Sequence, residues 1–341
     1  MTDKDQVVLN VNSLGFPWET HDPFLFCVYH ADAYPKGNER FGPDASLEGR
    51  NLGNDFVVKD GWRMYHGKVV PGFPVHPHRG FETVTVVRRG IVDHSDSLGG
   101  AGRYGNGDVQ WMTAGKGIQH SEMFPLVNRE EPNPLELFQI WLNLPAKKKM
   151  VDPHYTMLWD KQIPKITESD DLGRQTRIEL VAGSLGENKA PDPAPDSWAA
   201  APENQVAIWY FQMDEMASWT IPAAGDGINR ILFFFEGEQI HINDQPIDSG
   251  HSITLRPDIP ARLKNGSGKG RFLMLQGRPI GEPVANYGPF VMNTRSEIQQ
   301  TYIDYQATRF GGWPWPEHEQ VHSGSGGRFA RFTDGLEEFP D

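Results

Sequence analysis

The chain has 341 residues, a length that favours two domains, and its 38% hydrophobic content with 19 Phe and 10 Trp is enough to build apolar cores. The formal net charge of −13 argues against duplex DNA binding and against docking on anionic membranes, because both need a positive surface. The 36 glycines and 27 prolines favour many short strands and turns over long helices.

The compartment is expected to be the cytoplasm, with the nucleus as an alternative in a eukaryote. Cys27 is the single cysteine, so no intrachain disulfide is possible, which is compatible with a reducing compartment. The first ten residues lack the apolar stretch of a secretory signal, and the apolar block at 231–235 is too short to span a bilayer.

In chain order, the first half predicts one strand-rich domain. Residues 22–34 are typical of a buried strand and a loop, and residues 35–55 form a polar excursion at the surface. From 61 to 145, glycine-containing turn signals separate short strands. The segment FQIWLNLP places Phe138, Ile140 and other apolar residues at every second position, the period of a strand.

The second half predicts another set of strands, at 205–277, after a linker and a Pro- and Ala-rich loop at 188–204. Lys147 to Lys149 in the linker favour a solvated turn over a nuclear-localisation signal. His241 and His251 are isolated, so this half is expected to lack a metal.

Residues 294–309 predict the clearest helix of the chain. Thr294 and Glu297 fit a capping box, and Ile298, Tyr302 and Tyr305 form one apolar stripe that we expect to pack on a barrel. The tail at 311–341 shows little periodicity and is expected to be irregular, with its tryptophans and phenylalanines as possible anchors.

Two histidine-containing segments predict a mononuclear metal site. GFPVHPHRGFETV holds His76 and His78, and GNGDVQWMTAGKGIQHSEM holds His120 and Glu122, with one residue between the members of each pair. Residues i and i+2 of a strand point to the same face, so each pair can aim at one point inside a barrel. A single histidine is more often a core or surface residue, but two like-spaced pairs favour a metal.

Glu82 competes with Glu122 for the fourth ligand position. It lies four residues after His78, and the same-face argument does not separate the two carboxylates unless a bulge at Gly80 shifts the register. Ligand types alone also leave iron, zinc, nickel, manganese and copper open.

These segments resemble the pirin family of the cupin superfamily, and the likeness continues through 138–155 and 286–306. The resemblance implies an all-β fold of two cupin-type (jelly-roll) β-barrels with a short C-terminal helix. The implied domains are a metal-binding barrel at 1–150, a metal-free barrel at 151–310 and the tail at 311–341. It makes His76, His78, His120 and Glu122 the ligands of one divalent ion, favours Glu122 over Glu82, and favours iron(II).

The resemblance implies two alternative functions. Some members are similar to quercetin 2,3-dioxygenases, for which the partners are a small aromatic substrate and O2, with Glu122 as ligand and general base. Others resemble redox-sensing transcription co-regulators that bind proteins rather than nucleic acid. Val75 departs from the usual polar residue at its position, and the added loops and tail leave the substrate open.

Overall fold

The computed structural model describes residues 6–323 and 327–340, which are mostly β-strand with one α-helix. The strands are β1 Val8–Ser13, β2 Phe24–Asp32, β3 Gly72–His78, β4 Phe81–Arg89, β5 Ile91–Asp96, β6 Ala101–Gly105, β7 Val109–Thr113, β8 Ile118–Met123, β9 Leu135–Asn143, β10 His154–Leu158, β11 Lys165–Ser169, β12 Gln175–Ala182, β13 Ser184–Leu185, β14 Asn188–Lys189, β15 Ala207–Met213, β16 Ser218–Ile221, β17 Asn229–Glu236, β18 Gln239–Ile242, β19 Gln245–Asp248, β20 His251–Leu255, β21 Ala261–Asn265, β22 Gly270–Gly277, β23 Ala285–Tyr287, β24 Phe290–Met292, β25 Phe329–Arg331 and β26 Glu337–Glu338. The helix is α1 Arg295–Thr308, and short 3₁₀ helices cover Ala146–Lys148, Asp160–Gln162, Trp198–Ala200, Pro202–Asn204 and Arg309–Gly311.

The chain divides into two compact units. Unit 1 comprises the residues up to Val28 together with Lys161–Gly281, and unit 2 comprises Tyr29–Asp160 and the residues from Glu282 onward. This grouping differs from the serial division at residues 150 and 310 that the sequence suggests. Its basis is strand pairing, because β1 pairs with β20 and joins the beginning of the chain to the sheet of unit 1.

Unit 1 is built from a seven-stranded antiparallel sheet of order β1-β20-β17-β22-β15-β12-β11 and a four-stranded sheet of order β16-β21-β18-β19. Alternate side chains of its strands enter one core, as the two-residue period of a strand requires. Phe272 stacks between Phe211 and Phe234, with ring centroids 4.8 and 4.7 Å away.

Unit 2 contains a five-stranded sheet of order β10-β7-β4-β9-β2 and a six-stranded sheet of order β26-β25-β6-β5-β8-β3. Phe138, Ile140 and Leu142 of β9 are all buried, which confirms the predicted alternation. In the tail, β25 pairs with β6, so the described part of 311–341 includes regular structure that its composition did not indicate.

The predicted helix is confirmed. The Thr294 side chain accepts from the Glu297 backbone N–H while the Glu297 carboxylate accepts from the Thr294 N–H, the two halves of a capping box. Ile298 is buried, and Tyr302 and Tyr305 pack beside it against Phe290 and neighbouring apolar residues of unit 2. Among the described residues, no helix qualifies as a candidate membrane span.

Candidate metal centre

Three histidines of unit 2 meet at strands β3 and β8. His76 lies directly opposite His120 in the antiparallel pair, and His78 follows two residues later on β3. The ring centroids are 4.4 Å apart for His76 and His120, 4.7 Å for His76 and His78, and 4.9 Å for His78 and His120. One nitrogen from each ring lies within 4.8 Å of the other two, so the three side chains could hold one metal ion.

A bulge in β3 produces this register. Phe73 pairs with Glu122 and His76 with His120, so β3 carries one more residue than β8 over this stretch. The backbone N–H of Val75, within the bulge, donates to the carbonyl of His318 in the tail (3.0 Å). The bulge therefore brings His76 into line with His120, and the tail accepts the amide hydrogen of a bulge residue.

Backbone contacts fix which nitrogen of two histidines faces the cluster. Nδ1 of His76 lies 2.8 Å from the Pro74 carbonyl, and Nδ1 of His78 lies 3.3 Å from the Pro289 carbonyl. A carbonyl only accepts, so each Nδ1 carries the proton and each Nε2 keeps its lone pair for a ligand role. Both ring nitrogens of His120 are buried and have no hydrogen-bond partner among the described residues, and a metal ion would supply a partner for one of them.

Burial keeps the three imidazoles neutral. Desolvation lowers the pKa of His76 to about 4, and it lowers the pKa of His78 and of His120 well below the ordinary value. Neutral imidazole is the form that binds a metal ion, so the donor set fits a divalent cation near neutral pH.

Glu122 lies beside the cluster and is held by neighbouring polar groups. Its Oε2 is 3.9 Å from Nε2 of His120 and accepts a hydrogen bond of 2.6 Å from Nε2 of Gln139. The hydroxyl of Thr85 lies 2.9 Å from Glu122 Oε1 and 2.6 Å from Oε1 of Gln139, so its single proton can serve either acceptor. Burial raises the pKa of Glu122, and the hydrogen bonds from Thr85 and Gln139 act in the opposite direction.

Glu82 occupies a different strand from the paired histidines. β3 ends at His78, the chain turns at Gly80 with φ of 86°, and Glu82 lies on β4 opposite Thr113. Because of this turn, the rule that alternate residues of one strand share a face does not extend from His78 to Glu82. The Glu82 carboxylate is fully buried and accepts from the Thr113 hydroxyl at 2.7 Å. The cluster found among the described residues consists of the three histidines and includes neither Glu82 nor Glu122.

A fourth histidine, which the sequence pattern did not single out, lies near this cluster. His94 of β5 is buried, lies opposite Glu122 in the pairing of β5 with β8, and has its ring centroid 5.6 Å from that of His120. Its Nε2 lies 3.1 Å from Oδ2 of Asp96, and its ring stacks on Tyr155 at 5.1 Å. His94 and Asp96 are separated by one residue on a strand, and this spacing is the sequence signal that could have pointed to His94.

The tail is attached to the strands that carry the histidines. The Glu319 carboxylate accepts the backbone N–H groups of Lys68, Val69 and Val70 at 2.9 to 3.0 Å, just before β3. The Trp315 indole donates to the Asp96 carbonyl at 2.8 Å. Together with the bond from Val75 to His318, these contacts attach the tail to the segment before β3, to the β3 bulge and to the end of β5.

Arg79, which follows His78, has a structural environment. Its guanidinium donates to the Asp304 carboxylate of α1 at 2.7 Å and to the Lys116 carbonyl at 2.6 Å, and it lies 4.6 Å from the Phe310 ring. It therefore fixes the helix of unit 2 rather than facing the three imidazoles.

Each half of the chain contains a segment that matches a known family model. The pirin family model matches residues 19–142, and the model of the pirin C-terminal cupin domain matches residues 208–311. Residues 312–341 of the tail lie beyond both matches. These two matches agree with the resemblance found in the histidine segments.

Individual relatives extend this comparison. A Pseudomonas aeruginosa protein named "Putative quercetin 2,3-dioxygenase" is 35% identical over 70% of this chain and 79% of its own length. Pirin-1 of Arabidopsis thaliana is 36% identical over 70% of this chain and 78% of its own. The crystal structure of a quercetin 2,3-dioxygenase from Acinetobacter baumannii covers 90% of this chain and 98% of its own, with 27% identity and a TM-score of 0.69. The chain is a member of the pirin family, with two cupin domains.

Proposed function

We propose that this pirin is a metal-dependent dioxygenase of the quercetin 2,3-dioxygenase type, acting with O2 on a flavonol-like phenolic substrate. The single observation that carries the proposal is the group of three neutral imidazoles, two buried and one partly accessible, whose ligand atoms lie within 4.8 Å of one another. The names of the similar Pseudomonas and Acinetobacter proteins support the reaction type.

The proposed ligands are His76, His78, His120 and Glu122. Three nitrogens and one carboxylate leave about two positions of an octahedral ion open, whereas a structural zinc site closes with four ligands. We favour iron(II) over nickel, zinc, manganese and copper because of the family. When bound, such an ion would supply a Lewis acid and redox centre for a phenolate and dioxygen.

Glu122 is the proposed general base. Its raised pKa and its position beside His120 suit a carboxylate that accepts the proton of a substrate hydroxyl. The Gln139 side chain keeps one carboxylate oxygen oriented through its 2.6 Å hydrogen bond. In this role Glu122 would bind the metal and take the proton within the same site.

Aromatic side chains beside the histidines suit a flat substrate. The partly accessible Trp141 ring lies 5.3 Å from His78, and the partly accessible Phe73 ring lies 6.3 Å from His76. The Phe81 ring, 5.0 Å from His78, is fully buried and packs behind that imidazole. His78 and His120 are buried while His76 is partly accessible, so a substrate would approach on the side of His76. Apolar and aromatic linings of this kind are common in ligand sites.

The test combines metal analysis with quercetin consumption in air, on wild type, His78→Ala and the unit 1 control His241→Ala. The proposal expects about one iron per chain, consumption with release of carbon monoxide, and loss of both in His78→Ala alone. Stoichiometric metal without consumption of any flavonol would overturn the enzyme and favour the redox-sensing co-regulator that binds protein partners.

A further inference from the structure

Unit 1 contains a cavity of about 590 Å³ at one end of its core. Its walls include the first residue of β15 (Ala207), the last of β12 (Ala182) and Gln276 near the end of β22, so it opens where neighbouring strands of one sheet end. Val206 and Pro222 add further apolar surface. All its lining residues belong to unit 1, which the proposed metal chemistry does not use.

Arg230 places a cation in this apolar cavity. It is 2% exposed, and on β17 it shares the inward face with Leu232 and Phe234 of the core. Its Nε donates to Oε1 of Gln276 at 2.7 Å, but Nη1 is buried with no hydrogen-bond partner among the described residues. Burial lowers its pKa to about 10, so the group remains charged at neutral pH.

Trp209 adds a second donor to the same cavity. It is 3% exposed and lines the cavity two residues after Ala207 on β15. Its indole Nε1–H is also buried with no partner among the described residues. Buried donors are nearly always satisfied in folded proteins, and leaving a buried charge unpaired is costly. Both residues line the same cavity, so an acceptor that enters it could satisfy either donor.

We infer that this cavity binds the carboxylate of a small, largely apolar organic acid. A guanidinium presents paired N–H groups that match a carboxylate, and the Trp209 indole can donate to one of its oxygens. The surrounding Ala, Val and Pro side chains suit an apolar body.

The balance of charge favours one negative charge over two. Arg230 is the buried cation of the cavity, while the other basic residue in the lining, Lys189, pairs with Asp192 at 2.7 Å. Glu187 also lines the cavity and would repel a second negative charge. A phosphate dianion, with more acceptor oxygens, would find too few donors here.

The indole N–H resonance of Trp209 reports on this site alone. It is assigned by its loss in Trp209→Phe and followed in ¹⁵N-labelled full-length protein during titration with benzoate. The expected result is a saturable shift of this signal at millimolar benzoate or below, with little change in the other tryptophan indole signals. Benzamide, which is neutral, and inorganic phosphate are titrated in the same way and should shift the signal much less.

Two variants test the role of the guanidinium. Arg230→Met keeps a long buried side chain without the charge, and Arg262→Met removes an exposed arginine of the same unit. Benzoate binding should weaken about tenfold or more in Arg230→Met and stay unchanged in Arg262→Met. Because a buried unpaired charge is removed, Arg230→Met should also melt at or above the wild-type temperature without benzoate.

The inference is overturned if benzoate does not shift the Trp209 signal or if Arg230→Met binds it as tightly as wild type. It is also overturned if benzamide binds equally well, since the charge would then be irrelevant, or if phosphate alone binds. Each outcome is independent of metal content and of quercetin consumption.

Discussion

Replacing Gln139 by Leu should weaken metal binding although Gln139 is not a proposed ligand. Its Nε2 donates at 2.6 Å to the Glu122 carboxylate, and Leu removes that donor while keeping a similar volume. A hydrogen bond to a charged group contributes about 1.5–3 kcal/mol. If the bond orients Glu122 for the metal, this energy corresponds to about 10- to 150-fold weaker binding.

The measurement is the dissociation constant for iron(II), obtained without oxygen by competition with a chelator. Gln212→Leu is the matched control, because Gln212 is also partly buried on a strand but lies in unit 1. It should bind iron as tightly as wild type. A folded Gln139→Leu with wild-type affinity would refute the role of Glu122 as an oriented ligand, and an equal loss in Gln212→Leu would refute a local effect.

Three further predictions concern the carboxylates, the tail and acid stability. Glu122→Ala should lose metal while Glu82→Ala retains it, measured as metal content after purification. Loss of metal in Glu82→Ala but not in Glu122→Ala would make Glu82 the ligand instead of Glu122. Glu319→Ala should weaken metal binding about tenfold, because it frees the tail at the β3 bulge. Glu317→Ala, which changes an exposed side chain on the same segment, should leave the metal affinity unchanged. Equal metal affinities of the two variants would show that the tail has no part in metal binding. Burial lowers the pKa of His30 to about 3, so below pH 6.5 this side chain binds a proton in the unfolded chain but stays neutral in the folded chain. The free energy of unfolding should therefore fall by about 2 kcal/mol from pH 7 to pH 5 through this group. Urea titration of His30→Asn should show a smaller fall over the same pH range.

Much of the fold was accessible from sequence because its signals are local. The alternation that buries Phe138 and Ile140, and the capping box of Thr294 with Glu297, each depend on residues a few positions apart. The spacing of His76 and His78 belongs to the same class, because two residues along a strand share a face.

The remaining features depend on contacts between distant segments. The bulge that aligns His76 with His120 involves a carbonyl more than two hundred residues away, at His318. The pairing of β1 with β20 likewise joins segments that no periodicity connects. Arg230 looks like an ordinary charged residue in the sequence, and only the packing of unit 1 shows that it is buried.

The most direct test of the account is anomalous diffraction from crystals of the iron-loaded protein, recorded on both sides of the iron absorption edge. We predict a single strong peak per chain, about 2.0–2.2 Å from Nε2 of His76, His78 and His120 and from one oxygen of Glu122. A peak elsewhere in the chain, or full iron content with no peak between these side chains, would contradict the central claim.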